Sequence, residues 1–272
     1  MISYGQNRED VLLNRLFPAD YKGFYIDVGA NHPTQDSITA HFYARGWRGV
    51  NVEPSSSHDQ VAKARPRDIN LSVAVSNRSG EATLHEFPEA TGLSTFNAAL
   101  AESAHARFGF RCVKRQVAMV TLAELCREHV RGPIDFMSVD VEGHEREVLE
   151  GADWQKYRPR VVLVEATLPK TTEPTHEQWE HLLLGADYLF AFFDGLNRFY
   201  VRAEDRALVP RLAVPANVHD DYITYREYCN SQMGPATLKI ARRLNQLEES
   251  FPRASQALLR MWQKGRSAAQ AK

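Results

Sequence analysis

Several residues whose types could do chemistry recur at the ends of short apolar runs. Ile26-Asp27-Val28-Gly29-Ala30-Asn31 reads as a buried strand running into a glycine turn, with Asp27 and Asn31 bringing polar groups to its end. Glu53 closes a second run, Arg48-Gly49-Val50-Asn51-Val52, 24 residues after Gly29. In a doubly wound sheet, an acid at that strand end accepts both hydroxyls of a ribose. Asp140, Glu142 and His144 cluster after Ile134–Val139, and Glu165 stands near the end of Arg160–Ala166. Carboxylates and a histidine on neighbouring strand ends can move a proton from a hydroxyl, with His144 as the base. Alternatively, Asp140 and Glu165 can hold a hard cation such as Mg²⁺, which lowers the pKa of a bound hydroxyl. Glu142 and Glu145 also suit the positive N-terminal end of the helix that follows. The other histidines are scattered, without metal-ligand spacing.

These groups meet only if the intervening elements carry them to one edge. Helical patterns over Asp36–Arg45, Ser55–Ala64, Glu145–Leu149 and His176–Leu184 alternate with apolar runs, including a third at Ile69–Val75. Glu81–Phe87 alternates and reads as a short extra strand, while Arg-Val-Val-Leu-Val-Glu-Ala at 160–166 has the continuous apolar character of a central parallel strand. This rhythm predicts a parallel α/β sheet with helices on both faces. Tyr188–Phe193 and Arg198–Val201 are too close for a crossover helix, so they must form an antiparallel hairpin turned by Asp194-Gly195. The segment from Glu89 to Phe110, with Thr91-Gly92-Leu93-Ser94-Thr95, is a long insertion of the kind that covers a ligand site. Ser94 and Glu142 are expected to touch the substrate, together with Asn197 at the hairpin mouth; Asn217, Asp220 and Asp221 are weaker contacts of the same kind.

The first turn reads Gly-Ala-Asn-His-Pro-Thr, lacking the second and third glycines with which a dinucleotide site receives a pyrophosphate. A ligand with a ribose but no phosphates fits better, and S-adenosylmethionine answers that description. Asp27-Val28-Gly29-Ala30-Asn31, Val52-Glu53-Pro54, Gly92-Leu93-Ser94-Thr95 and above all Ile134-Asp135-Phe136-Met137-Ser138-Val139-Asp140-Val141-Glu142-Gly143-His144-Glu145 resemble the FkbM family of S-adenosylmethionine-dependent methyltransferases. Ser3-Tyr4-Gly5-Gln6-Asn7-Arg8-Glu9-Asp10, Asn197–Val201 and Pro215–Val218 are similar as well, so the resemblance covers about residues 3–225. It implies a class I methyltransferase Rossmann-like sheet, order 3-2-1-4-5-7-6 with strand 7 antiparallel. It also implies methyl transfer to a hydroxyl of a sugar, in a polysaccharide, glycolipid or glycosylated metabolite. By the same resemblance Asp27, Gly29, Ala30 and Asn31 would hold the methionine part, Glu53 the ribose, and Asp68 or the Ala74-Val75-Ser76 strand end the adenine edge. Asp140 would border both cofactor and acceptor.

Composition narrows the class. The chain has 272 residues, 43% hydrophobic and 25% charged, a globular profile that excludes collagenous and disordered classes. No apolar run has the length of a membrane span, the N-terminus lacks the pattern of a signal peptide, and three dispersed cysteines suit a reducing compartment, so a cytoplasmic protein is expected. The mildly acidic body argues against nucleic acid. Residues 235–272 carry eight Lys/Arg against two Asp/Glu, with apolar residues at helical spacing. The expected division is therefore a catalytic domain over 1–234 and a basic amphipathic tail over 235–272. That tail suits packing on the body or on a second subunit, contact with anionic lipid at the inner face of the membrane, or docking on a glycosyltransferase. Two rival readings stand beside methyl transfer: an NAD(P)-dependent oxidoreductase or epimerase, and a non-catalytic module that binds a partner.

Overall fold

The structure, a computed structural model, describes residues 1–169 and 171–232. Met1–Tyr222 forms one compact unit. Of the unit that begins at Ile223, the described part is the strand Ile223–Thr224 and the helix Tyr225–Ser231, opened by a capping box between Thr224 and Glu227. The boundary expected at 234 and the basic tail of 235–272 lie outside the described residues.

Seven strands make the main sheet: β1 (Phe24–Val28), β2 (Arg48–Val52), β3 (Ile69–Leu71), β4 (Phe136–Val139), β5 (Val161–Glu165), β6 (Tyr188–Phe193) and β7 (Asn197–Arg202). Their order is β3-β2-β1-β4-β5-β7-β6. The first five named are parallel, and β7 runs antiparallel to both of its neighbours. Only Asp194, Gly195 and Leu196 separate β6 from β7, and Gly195 takes φ +99, so the hairpin is dictated locally. Asn197 is thereby the first residue of β7, opposite Glu165. The strand order reverses beside β1, where Val28 is level with Val52 on one side and Val139 on the other. A crevice for ligands opens beyond the strand ends at such a switch point.

Strand alternation builds two cores. Ile26, Val28, Met137, Val139, Val162 and Val164 face helices Leu122–His129, Glu145–Glu150 and Glu180–Leu184. Tyr25, Phe136, Leu163, Phe199 and Val201 pack on Leu12, Leu13, Phe42 and Leu212 from the helices of the other face. Each such side chain stabilises the fold by about 1.5–3 kcal/mol, which anchors the strand ends.

The run expected as one strand over Ile69–Val75 divides. Ile69–Leu71 stays in the main sheet, while Ala74–Ser76 pairs with Met119–Thr121 in a second, three-stranded sheet with Gly80–Glu86. The central strand of that sheet, Val113–Thr121, was not expected from the sequence. Its last residue, Thr121, opens helix Leu122–His129: Glu124 N donates to Thr121 Oγ1 at 3.1 Å and Thr121 N to Glu124 Oε2 at 2.9 Å. Two helices are shorter than their patterns, at Ala40–Ala44 and His58–Ala64. Before the second, Ser55 and Ser57 form a turn in which Ser57 N donates to Ser55 Oγ at 3.2 Å.

Candidate active site

At the ends of β1 and β2 the expected groups converge. Gly29 N and Ala30 N both donate to Val52 O at 3.0 Å, which folds the glycine turn over β2. Gly29 has φ +94, and a Cβ there would stand 1.7 Å from Asp140 O, so only glycine lets the β1 turn and the β4 end approach this closely. Asn31, also left-handed at φ 44, donates its N–H to Glu53 Oε2 at 2.7 Å. Ser55 N holds Glu53 Oε1 at 2.7 Å. Both oxygens of this buried carboxylate are thus fixed by backbone, and each retains a lone pair for a ligand hydroxyl.

Asp27 lies beneath this turn and accepts from Thr39 Oγ1 at 2.6 Å. Thr39 is in turn bonded by Arg65, a fully buried cation that also donates to Ser37 Oγ at 2.6 Å, Pro33 O at 2.9 Å and Asn51 Oδ1 at 3.2 Å. Burial pushes the Asp27 carboxyl up to about 6 against the opposing pull of Arg65. Thr39 and Arg65 escaped sequence reading because a buried arginine has the same one-letter signal as a solvated one.

The second cluster follows β4 and β5. Glu165 is buried close to Asp140. Burial, then the charges of Asp140, Glu142 and Glu145, hold the Glu165 carboxyl well above the usual range. Glu165 therefore keeps its proton to higher pH than an ordinary carboxyl. Among the described residues no three His, Cys, Asp or Glu side chains converge to hold a metal ion. The Mg²⁺ expectation for Asp140 and Glu165 therefore finds no ligand set among the described residues.

Glu145 braces the loop between them and the next helix. Its Oε1 accepts from Gly143 N at 3.0 Å and Val141 N at 3.3 Å, and burial raises its carboxyl to about 7. Gly143 takes φ +90 and lies against Leu100, so the loop is covered by helix Ala98–Phe108. His144 is drawn away from solvent: Nε2 is 3.0 Å from Ser76 Oγ, Nδ1 is 3.4 Å from Glu147 Oε2, and the ring lies 5.5 Å from that of Phe96. Burial lowers its pKa, so the ring is neutral at pH 7. Ser76, expected at the adenine edge, thus has its hydroxyl on His144.

The Glu89–Phe110 insertion is tied over this edge by three hydroxyls. Thr91 Oγ1 donates to Asn31 Oδ1 at 2.8 Å, Ser57 Oγ to Thr91 Oγ1 at 3.1 Å, and Thr95 Oγ1 to the Glu142 carbonyl at 2.8 Å. Ser94 Oγ accepts from Phe87 N at 3.2 Å and so holds its own loop. Asn197 is buried, with Nδ2 donating to Glu9 Oε1 at 2.8 Å. Asp220 pairs with Arg15 at 2.6 Å and caps Asn217, so these two brace the chain rather than the crevice. Asp68 stands level with Gly49 near the start of β2, bonded by Tyr25 Oη, Gly49 N and Asn51 Nδ2. An adenine role cannot fall to a side chain at that end of the strands.

A groove of about 610 Å³ lies at the opposite strand edge, lined by Lys22, Arg48, His129 and Arg131 among others. Lys22 donates to Arg45 O, and Arg131 to the carbonyls of Arg127, Glu128 and Val130. Lys22 and Arg131 thereby satisfy helix C-terminal carbonyls, the negative ends of the dipoles. The chemistry gathers at the other edge.

Curated proteins yield no match. A solved structure of methyltransferase FkbM from Methylobacillus flagellatus KT is similar at 13% identity and a TM-score of 0.38, covering 67% of this chain and 44% of that one. This chain thus spans less than half the length of that relative. Residues 27–190, more than half of the chain, match the methyltransferase FkbM domain. With the glycine turn, Glu53 and the Asp140–Glu165 pair inside that span, the chain belongs to the FkbM methyltransferase family.

Proposed function

We propose that this protein transfers a methyl group from S-adenosylmethionine to a hydroxyl oxygen of a sugar or glycan. The observation that carries the cofactor is Glu53, whose two oxygens are held by Asn31 N and Ser55 N while their remaining lone pairs suit a vicinal diol. Asp27 and Asp140 give the crevice the negative character that a cationic ligand needs. When bound, S-adenosylmethionine supplies an electrophilic methyl group on a sulfonium, a leaving group that requires no protonation. The protein must then orient the acceptor and take its proton.

Asp140, at the end of β4 beside a buried Glu165 whose carboxyl is held well above the usual range, is suited to accept that proton. A sugar offers several O–H donors, and this edge is rich in acceptors. His144 is the second candidate base, because burial keeps it neutral and Glu147 lies beside Nδ1. Incubation with S-adenosylmethionine and a panel of mono- and oligosaccharides, read by mass spectrometry, tests the reading. A methylated product is expected, with Asp140→Asn slowing turnover about 10²–10⁴-fold. Full turnover in Asp140→Asn with loss in His144→Gln would move the base to His144. Oxidation of a sugar with NAD and no methyl transfer would overturn the proposal.

A further inference from the structure

The N-terminal motif Tyr4-Gly5-Gln6-Asn7-Arg8-Glu9-Asp10 has no part in the chemistry above, yet it folds against the β6–β7 turn. Glu9 is fully buried at the start of helix Glu9–Asn14. Asn7 N donates to both of its oxygens, at 3.1 and 3.0 Å, and Asn197 Nδ2 donates to Oε1 at 2.8 Å. A Cβ on Gly5 would stand 2.3 Å from Glu9 Oε2, so the carboxyl fills its niche completely. Asp10 ties the same segment down through Ser3 Oγ and Tyr4 N, each at 2.7 Å.

Asn197 links this niche to the active-site edge. It is registered directly opposite Glu165 across the antiparallel β5–β7 pair. Opposed residues on such a pair point to the same face, with Cβ atoms about 4.5–5.5 Å apart. Leu163 and Phe199, two residues back on each strand and opposite each other, occupy that same face in the core. Asn197 Nδ2 is held by Glu9 and, at 3.4 Å, by Asp194 Oδ2, while Asn197 N donates to Asp194 Oδ1 at 2.6 Å. The amide plane is therefore fixed, with Oδ1 turned away from Glu9.

We infer that Glu9, acting through Asn197, is a positioning residue for Glu165. A buried carboxyl facing Asp194 and Asp10 is an expensive choice for a merely structural tie, and burial keeps Glu9 in its acid form, with a pKa of about 8. As an acceptor it fixes the orientation of the Asn197 amide, on the residue that stands opposite Glu165. Its consequence for turnover rests on the proposed methyl transfer; its structural content does not.

Carbon-13 NMR of the full chain with labelled glutamate carboxyls, recorded at one fixed pH and with Glu165 assigned from Glu165→Gln, tests the inference. Asn197→Ala and Glu9→Ala should both displace the Glu165 resonance, the double variant should move it no further, and Glu9→Gln should restore most of its position. In the methyl-transfer assay Asn197→Ala should lower kcat about tenfold, one hydrogen bond's worth, with the KM for S-adenosylmethionine unchanged. A Glu165 resonance unmoved in folded Asn197→Ala overturns the inference; should Glu9→Ala fail to fold, Asn197→Ala and Glu9→Gln decide it. Titration of the same samples with S-adenosylhomocysteine separates the two claims, since absence of binding to wild type would sink the methyl-transfer reading and leave the NMR result standing.

Discussion

Gly29 and Glu53 are the residues on which the proposed cofactor crevice turns, and each makes a sharp prediction. Gly29→Ala forces a Cβ against Asp140 O and strains a left-handed backbone, so it should cost about 3 kcal/mol of stability in a denaturant titration. A variant as stable as wild type would mean the β1 and β4 ends do not approach as described. The raised carboxyls predict proton linkage. Asp27 at about 6 and Glu145 at about 7 are partly protonated near pH 6.5, and a cationic ligand favours their charged forms. Binding of S-adenosylmethionine at that pH should release protons, seen as a binding heat that changes with the buffer's ionisation enthalpy. Equal heats in two such buffers would remove these carboxyls from the ligand's surroundings. Gly29, Asn31, Glu53 and Asp140 were legible in the sequence because strand ends fix their positions within a residue. Arg65, Thr39 and Glu9 were not, since their partners come from distant segments and no spacing announces burial. Asp68 was misassigned for a related reason: it precedes β3, so its side chain sits at the wrong end of the sheet.

Among the elements, the sheet was more legible than its cover. The continuous apolar run at Val161–Glu165 and the three-residue turn between β6 and β7 announce a central parallel strand and a terminal hairpin. Val113–Thr121 was missed because only Val117 and Met119 of its nine residues are buried, too weak an alternation to stand out beside Lys114, Arg115 and Gln116. The split of 69–76 is likewise tertiary: Ala74–Ser76 leaves the main sheet because Met119–Thr121 offers it a partner. The insertion predicts a testable coupling. Thr91 bonds Asn31 and Thr95 bonds the Glu142 carbonyl, so a ligand that orders the crevice should order the segment as well. Hydrogen exchange should show slower amides at Asn31 and Thr91–Thr95 when S-adenosylhomocysteine is added. Unchanged exchange there, with binding confirmed, would separate the segment from the site.

For the molecule as a whole, a row of buried acids at one edge sets the pH response. Glu9 rises to about 8, Glu145 to about 7, and Asp10 and Asp27 to about 6, each above the ordinary carboxylate range and each chiefly by burial. A raised folded pKa favours the protonated form in the fold, so this stability is fully present below about pH 4 and is lost as pH rises toward 8. The melting temperature should fall between pH 5 and pH 8, and Glu9→Gln should flatten that fall; a curve that rises over the window would contradict the burial of these groups. The same edge holds the glycine turn, Glu53 and the Asp140–Glu165 pair, so stability and ligand binding draw on one set of charges. Calorimetric titration of wild type and Glu53→Ala with S-adenosylhomocysteine tests the central claim most directly. Saturable binding to wild type that disappears in a folded Glu53→Ala is the predicted result. Equal affinity in both proteins, or binding of NAD in its place, would contradict it.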